Sequence, residues 1–236
     1  MTKLLTLEFV KLKRTFLTIL LPLSFVSPIV LVLVQYCNNQ NTLPLVVTKN
    51  SAFIQMISFA CVVISGCYII SREYKNNLLS YLAITPKSMK QVLLCKYIIL
   101  LIETTLLQLL IFVSLFIINT ILSGFDMHIA IQYLTAGILS SIVLFCLTPC
   151  IVYITMVIRN FTSSAMVFLI LYMLTYPFSF LKFGVFLPHL LPITLIGKFL
   201  GNERYAQISY CSGILILIVV FVLFLYLTII KIGKKE

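Results

Sequence analysis

Arg72-Glu73-Tyr74-Lys75-Asn76-Asn77-Leu78-Leu79-Ser80-Tyr81-Leu82-Ala83-Ile84-Thr85-Pro86-Lys87-Ser88-Met89-Lys90, closed by Lys96 after five further residues, is the longest polar interval between hydrophobic runs in this chain. It carries five cations: Arg72, Lys75, Lys87, Lys90 and Lys96. Apolar runs flank it on both sides, each long enough to cross a bilayer. The interval is therefore the one substantial polar surface that the sequence offers.

Composition supports that division. Of 236 residues, 61% are hydrophobic and 10% charged, and mean hydropathy is +1.15. A water-soluble domain is nearer half apolar and about a quarter charged. The expectation is an all-α, polytopic membrane protein, folded as a single transmembrane domain over residues 1–236. The net charge of +11 would suggest nucleic acid in a soluble chain. Here the cations flank apolar runs, so membrane orientation accounts for them and no nucleic-acid partner is expected.

Six spans are read outward from the interval: Phe16–Cys37, Ser51–Ser71, Tyr97–Leu122, Ile129–Ile158, Phe161–Leu181 and Ile208–Ile230. Each reaches the ~20 residues that a ~30 Å hydrocarbon core requires. Residues 183–204 are too apolar for an ordinary loop and too short for a span, with Pro188 and Pro192 interrupting them. They are expected to form an external re-entrant hairpin before the last helix. With both termini inside, thirteen of the seventeen Lys and Arg face the cytoplasm: Lys3, Lys11, Lys13, Arg14, the five of the interval, Arg159, Lys231, Lys234 and Lys235. That obeys the positive-inside rule. A seventh span would throw the C-terminal lysines outside.

Residues 1–15 alternate charged and apolar side chains. On a helix, Leu5, Phe9 and Leu12 share one stripe while Lys11 and Arg14 lie on the other side. This pattern suits a short interfacial helix resting on membrane lipid; a plain basic flank is the alternative. The apolar run after Arg14 is too long for a cleavable signal peptide.

The chemistry of catalysis is sparse. No complete phosphate-binding loop is present, since Pro192 stands where the first glycine of that motif belongs before Gly197-Lys198. Neither HExxH nor GxSxG occurs. The seven cysteines form no CxxC pair or Cys/His cluster, so they read as packing residues, with a Cys37–Cys211 disulfide left open. Neither histidine, His128 or His189, belongs to a metal-ligand pattern. Glu103 is the one carboxylate inside a predicted span, and Gln108 and Asn119 share its helix. An intramembrane charge is costly, so these three are candidate polar residues of a pathway, or interhelical hydrogen-bond formers. Asn160-Phe161-Thr162 matches a glycosylation sequon but falls on the cytoplasmic side of this topology.

The interval resembles the cytoplasmic loop of ABC-2 type transporter permeases. Glu73 matches that family's leading acidic residue, Leu79 and Leu82 its leucines, Thr85-Pro86 its Thr-Pro, Ser88 its serine and Lys96 its closing lysine. Asn77, Leu78 and Lys87 stand where glycine, threonine and valine are usual. Glu8 through Arg14 resembles the family's lead-in to the first span, and Pro188 and Pro192 its external hairpin.

The resemblance implies a cytoplasmic coupling loop, 72–96, whose short helix contacts an ABC ATP-binding subunit. Its contact set would be Glu73, Asn77, Leu78, Leu79, Leu82, Thr85, Pro86 and Lys87, with Arg159 from the other cytoplasmic loop. ATP and Mg would then sit on that partner, leaving this chain without a cofactor or enzymatic activity. A second permease chain, identical or not, would complete the pathway in the plasma membrane. The implied function is export of an amphipathic or hydrophobic substrate, of the peptide-antibiotic, drug or self-immunity kind. A membrane sensor or immunity partner that transports nothing is the alternative, and an intramembrane enzyme is a third reading, for which only Glu103 is available.

Overall fold

The computed structural model describes Thr6, Val10, Thr15 and residues 17–38, 42–75, 89–205 and 208–233. Those stretches fold into seven α-helices, with no strand among the described residues: α1 (Leu17–Asn38), α2 (Leu43–Lys75), α3 (Met89–Ser123), α4 (Met127–Ile158), α5 (Phe161–Thr175), α6 (Leu191–Phe199) and α7 (Cys211–Gly233). All but α6 are long and apolar enough to cross a membrane, α5 together with the turn that follows it. Helix is the economical choice for such runs because every backbone N–H and C=O away from the ends is paired within the segment.

α2 and α4 form the centre. Cys61, Val62 and Val63 are consecutive and all buried, which requires neighbours on every side of α2. It packs on α1, α3, α4, α5 and α6. Gly66 makes room for α4: a Cβ there would stand 3.1 Å from Cγ2 of Ile151. The outer helices bury one face only. On α1, Ile19, Leu23, Val26, Val30 and Val34 are exposed at helical spacing. α5 and α7 expose similar stripes, including Ile170, Leu174, Leu215 and Val222. An exposed apolar girdle of this extent marks a membrane surface.

The polar termini are built locally. Thr120 O accepts from the Gly124 amide at 3.1 Å, and Gly124 takes φ +88° to end α3. Asp126 then caps α4, accepting from the His128 amide at 2.9 Å. Asn160 caps α5 in the same way, accepting from the Thr162 amide at 3.0 Å. The Asn-Phe-Thr triplet is thus a helix cap. Inside α4, Pro149 cannot donate to the carbonyl of Phe145. The Thr148 hydroxyl donates to that oxygen instead, at 2.7 Å.

The helices outrun the apolar segments that announce them. α2 begins eight residues before Ser51, and its polar extension is paired: Thr48 Oγ1 lies 2.8 Å from Pro44 O and 3.0 Å from Leu200 O, and Asn50 Nδ2 donates to Gln35 Oε1 at 2.6 Å. Residues 72–75 and 89–96 are helical too, so the non-helical part of the polar interval can be no longer than 76–88. The fifth span ends as α-helix at Thr175, and Pro177 opens a tighter turn, Tyr176–Phe180. After a second such turn, Lys182–Phe186, α6 buries Leu191, Ile193 and Ile196 against α2 and α4. At nine residues, or about 14 Å, α6 does not span. The chain returns through Tyr210, whose hydroxyl donates to Thr194 O at 2.9 Å.

Candidate functional site

Two ends of the bundle are distinguishable. One holds the C-termini of α2, α4 and α7 and the N-terminus of α3, and is called the basic end here because Lys75, Lys90, Arg159 and Lys231 belong to it. The other holds α6 and its turns.

At the basic end, Glu73 in the last turn of α2 meets Lys96 in the third turn of α3. Lys96 Nζ donates to Glu73 Oε1 at 2.9 Å and to the Ile69 carbonyl at 3.1 Å. Both side chains are almost completely enclosed, at 7% and 5% exposure. Burial of so strong a pair demands good geometry, because the desolvation of two ions opposes their attraction. Ile69 and Ile70 of α2 and Ile99 and Leu100 of α3 belong to one buried apolar cluster. Next to Glu73, the Tyr74 ring carries the Arg159 guanidinium 5.8 Å from its centroid. Arg159 adopts φ 59° at the end of α4, with its amide donating to Thr155 O at 2.8 Å. Glu73 and Arg159 thus share one neighbour, Tyr74: Glu73 precedes it in α2, and Arg159 lies over its ring. The remaining coupling candidates, Asn77, Leu78, Leu79, Leu82, Thr85, Pro86 and Lys87, lie outside the described residues. So do Leu5, Phe9, Lys11, Leu12 and Arg14 of the interfacial stripe.

Deeper in, α3 carries three polar side chains: Gln108 and Asn119 share one face, and Glu103 lies roughly 140–160° round the helix from them. Glu103 is half-buried, with Oε1 enclosed and without a hydrogen-bond partner among the described residues. Ser65 and Cys61 of α2 lie beside its carboxyl, and Ser24 of α1 donates to the Cys61 sulfur at 3.3 Å. Gln108 and Asn119 are fully buried, and neither amide has a partner among the described residues. Gln55 of α2 shares that condition. Sequence reading passed over Gln55, although its position in the middle of an apolar run was the signal available. Such amides carry a desolvation cost of roughly 1–3 kcal/mol each while unpaired. The carboxylate of α2, Glu73, is paired with Lys96, and the histidine of α4, His128, lies in its first turn.

At the opposite end, Pro192 occupies the first turn of α6, where a missing N–H costs nothing, and Pro188 lies in the turn before it. His189 Nε2 lies 2.6 Å from Thr175 Oγ1, and burial pushes the imidazole pKa down to about 4. All seven cysteines are free thiols.

A family model described as "ABC-2 family transporter protein" matches residues 4–175. The match covers α1 to α5 and the polar interval, and stops where the turns leading to α6 begin. No curated protein matches the chain, and no solved structure does. With nearly three quarters of its length matched, and with six helices able to cross a membrane, this chain is a multi-pass membrane protein that belongs to the ABC-2 family of transporter proteins.

Proposed function

We propose that the chain is the membrane-spanning permease subunit of an ATP-driven exporter that moves an amphipathic or hydrophobic substrate out of the cell or the bilayer. ATP is hydrolysed on a separate ABC subunit, which binds the interval between α2 and α3. The basic end faces the cytoplasm in this reading, with both termini, as the excess of Lys and Arg at that end favours. The supporting observation is the Glu73–Lys96 pair. It ties the last turn of α2 to α3 on either side of residues 76–88, so a force applied to that interval acts on both helices as one body.

Asn76 or Asn77 can start a short helix on which Leu78, Leu79 and Leu82 group, and Pro86 ends it. A leucine-faced helix of this kind docks in a groove of a partner. Glu103, Gln108 and Asn119 serve the substrate route or the movement that opens it. A second permease chain supplies the other half of the pathway.

The test is purification of the tagged chain from membranes, scored for a co-purifying ABC ATPase. The wild type retains it, and Leu82→Asp loses it while still inserting into the membrane. Retention at wild-type levels overturns the coupling role. Recovery of a partner without ATPase activity supports the sensor reading instead.

A further inference from the structure

The two tight turns after α5, Tyr176–Phe180 and Lys182–Phe186, expose large apolar side chains: Phe178, Phe180, Leu181, Phe183 and Phe186. Phe183 is the most open of them, at 72%. An exposed apolar patch of this kind marks a contact with membrane or protein. Both helices that bracket it carry the apolar girdle of the bundle up to the patch, with Met173 and Leu174 exposed on α5 and Ile214 and Leu215 on α7. Val185, buried in the second turn, seats against α7: a Cβ on Gly213 would stand 2.5 Å from Val185 Cγ1.

Two helices measure the depth of these turns. On α7, Gly213 lies eighteen residues before Lys231, about 27 Å at 1.5 Å per residue. On α5, Thr175 lies sixteen residues beyond Arg159, about 24 Å, and Tyr176 continues in helical geometry, φ −51° and ψ −42°. Phe178, three residues further on in the tighter turn, adds up to ~6 Å. Lys231 and Arg159 both belong to the basic end, so either route reaches the aromatic turns after about the ~30 Å of the hydrocarbon core. Arg204 stands there too: it is exposed, with its guanidinium 5.9 Å from the Phe180 ring centroid. A cation beside an apolar ring matches the step from acyl chain to phosphate.

We propose that Phe178, Phe180, Phe183 and Phe186 form a membrane anchor in the leaflet opposite the basic end. Their rings insert among the acyl chains of its phospholipids, beneath the phosphate layer that Arg204 meets. Val185 shares a buried cluster with Leu191 and Ile193 of α6, so the anchor ties the seat of α6 to the bilayer surface. The placement does not depend on what the protein transports.

The sequence contains no tryptophan, so a single one introduced reports its own depth. Full-length Phe183→Trp is reconstituted in phosphatidylcholine vesicles containing phosphatidylcholine brominated either close to the glycerol or close to the end of the acyl chain. The shallow bromine is expected to quench several-fold more strongly than the deep one. Val222→Trp, exposed on α7 midway between Gly213 and Lys231, should show the reverse order. Quenching of Phe183→Trp by aqueous acrylamide and by neither lipid overturns the proposal, since the turn then stands in water. Stronger quenching by the deep bromine overturns it as well. Protection from acrylamide and from both lipids also overturns it, and identifies a second protein chain as the cover. If Phe183→Trp fails to insert, Phe186→Trp reports on the same turn.

Discussion

Lys96 Nζ and Glu73 Oε1, twenty-three residues apart in sequence, stand 2.9 Å apart in the interior. They make a buried ion pair between the two helices that border the polar interval. Removing one partner leaves the other charged and enclosed, which costs roughly 3–5 kcal/mol. Lys96→Met alone should therefore lower the thermal unfolding midpoint in detergent sharply. The double variant Glu73→Leu/Lys96→Met should recover most of it. A double variant as unstable as the single one would show that the pair does not act as a unit.

Gln108 presents the opposite case. Its amide is enclosed with no partner among the described residues, so Gln108→Leu exchanges an unpaired polar group for a filled apolar one. The midpoint should stay level or rise, by the equivalent of up to ~1–3 kcal/mol. In the permease reading, transport falls at the same time. A loss of stability would reveal that the amide bonds to water or to a neighbouring chain.

Thr148 completes the backbone of α4 around Pro149. Thr148→Val keeps the shape but strips the hydroxyl from the Phe145 carbonyl, at a cost of about 1–3 kcal/mol in an apolar setting. Thr148→Ser should be close to neutral. Thermal denaturation of the two variants side by side separates hydrogen bonding from packing.

His189 makes the end of the bundle near α6 sensitive to acid. Its pKa in the fold is about 4, lowered by burial, against about 6.5 in the unfolded chain. The unfolded state therefore binds the proton first as pH falls. Stability is complete above about pH 6.5 and is lost progressively between about 6.5 and 4. Amide protection factors in residues 187–199, corrected for the intrinsic pH dependence of exchange, should fall across that window, and His189→Gln should remove the fall. Protection factors unchanged from pH 7 to 4.5 would rule it out.

The number and order of the spans were legible because burial in lipid needs long apolar runs, and nothing else in the chain competes with them. Their ends were not. Lys96 and Glu73 each look like loop residues, since a charge at a helix end is ordinarily solvated; only their meeting makes both interior. Thr48 and Asn50 extend α2 for the same reason, through Leu200 O and Gln35. The shortness of residues 183–204 was readable from spacing and prolines, but which part is helical depends on the seat that α2 and α4 provide for α6. Within the candidate site, Glu103 stood out as a lone carboxylate. Gln55 needed the fold, because one amide in an apolar helix has no meaning until its surroundings are known.

Gly66 gives α2 unequal arms. Nine residues separate it from Lys75 and twenty-three from Leu43, about 14 Å and 35 Å at 1.5 Å per residue. A rigid helix tilted about Gly66 would be a lever with a mechanical advantage of about 2.5. Displacing the Lys75 tip by ~2 Å would then swing the Leu43 tip by ~5 Å, the pitch of one helical turn. A small stroke at the basic end would be geared up to a large one at the other.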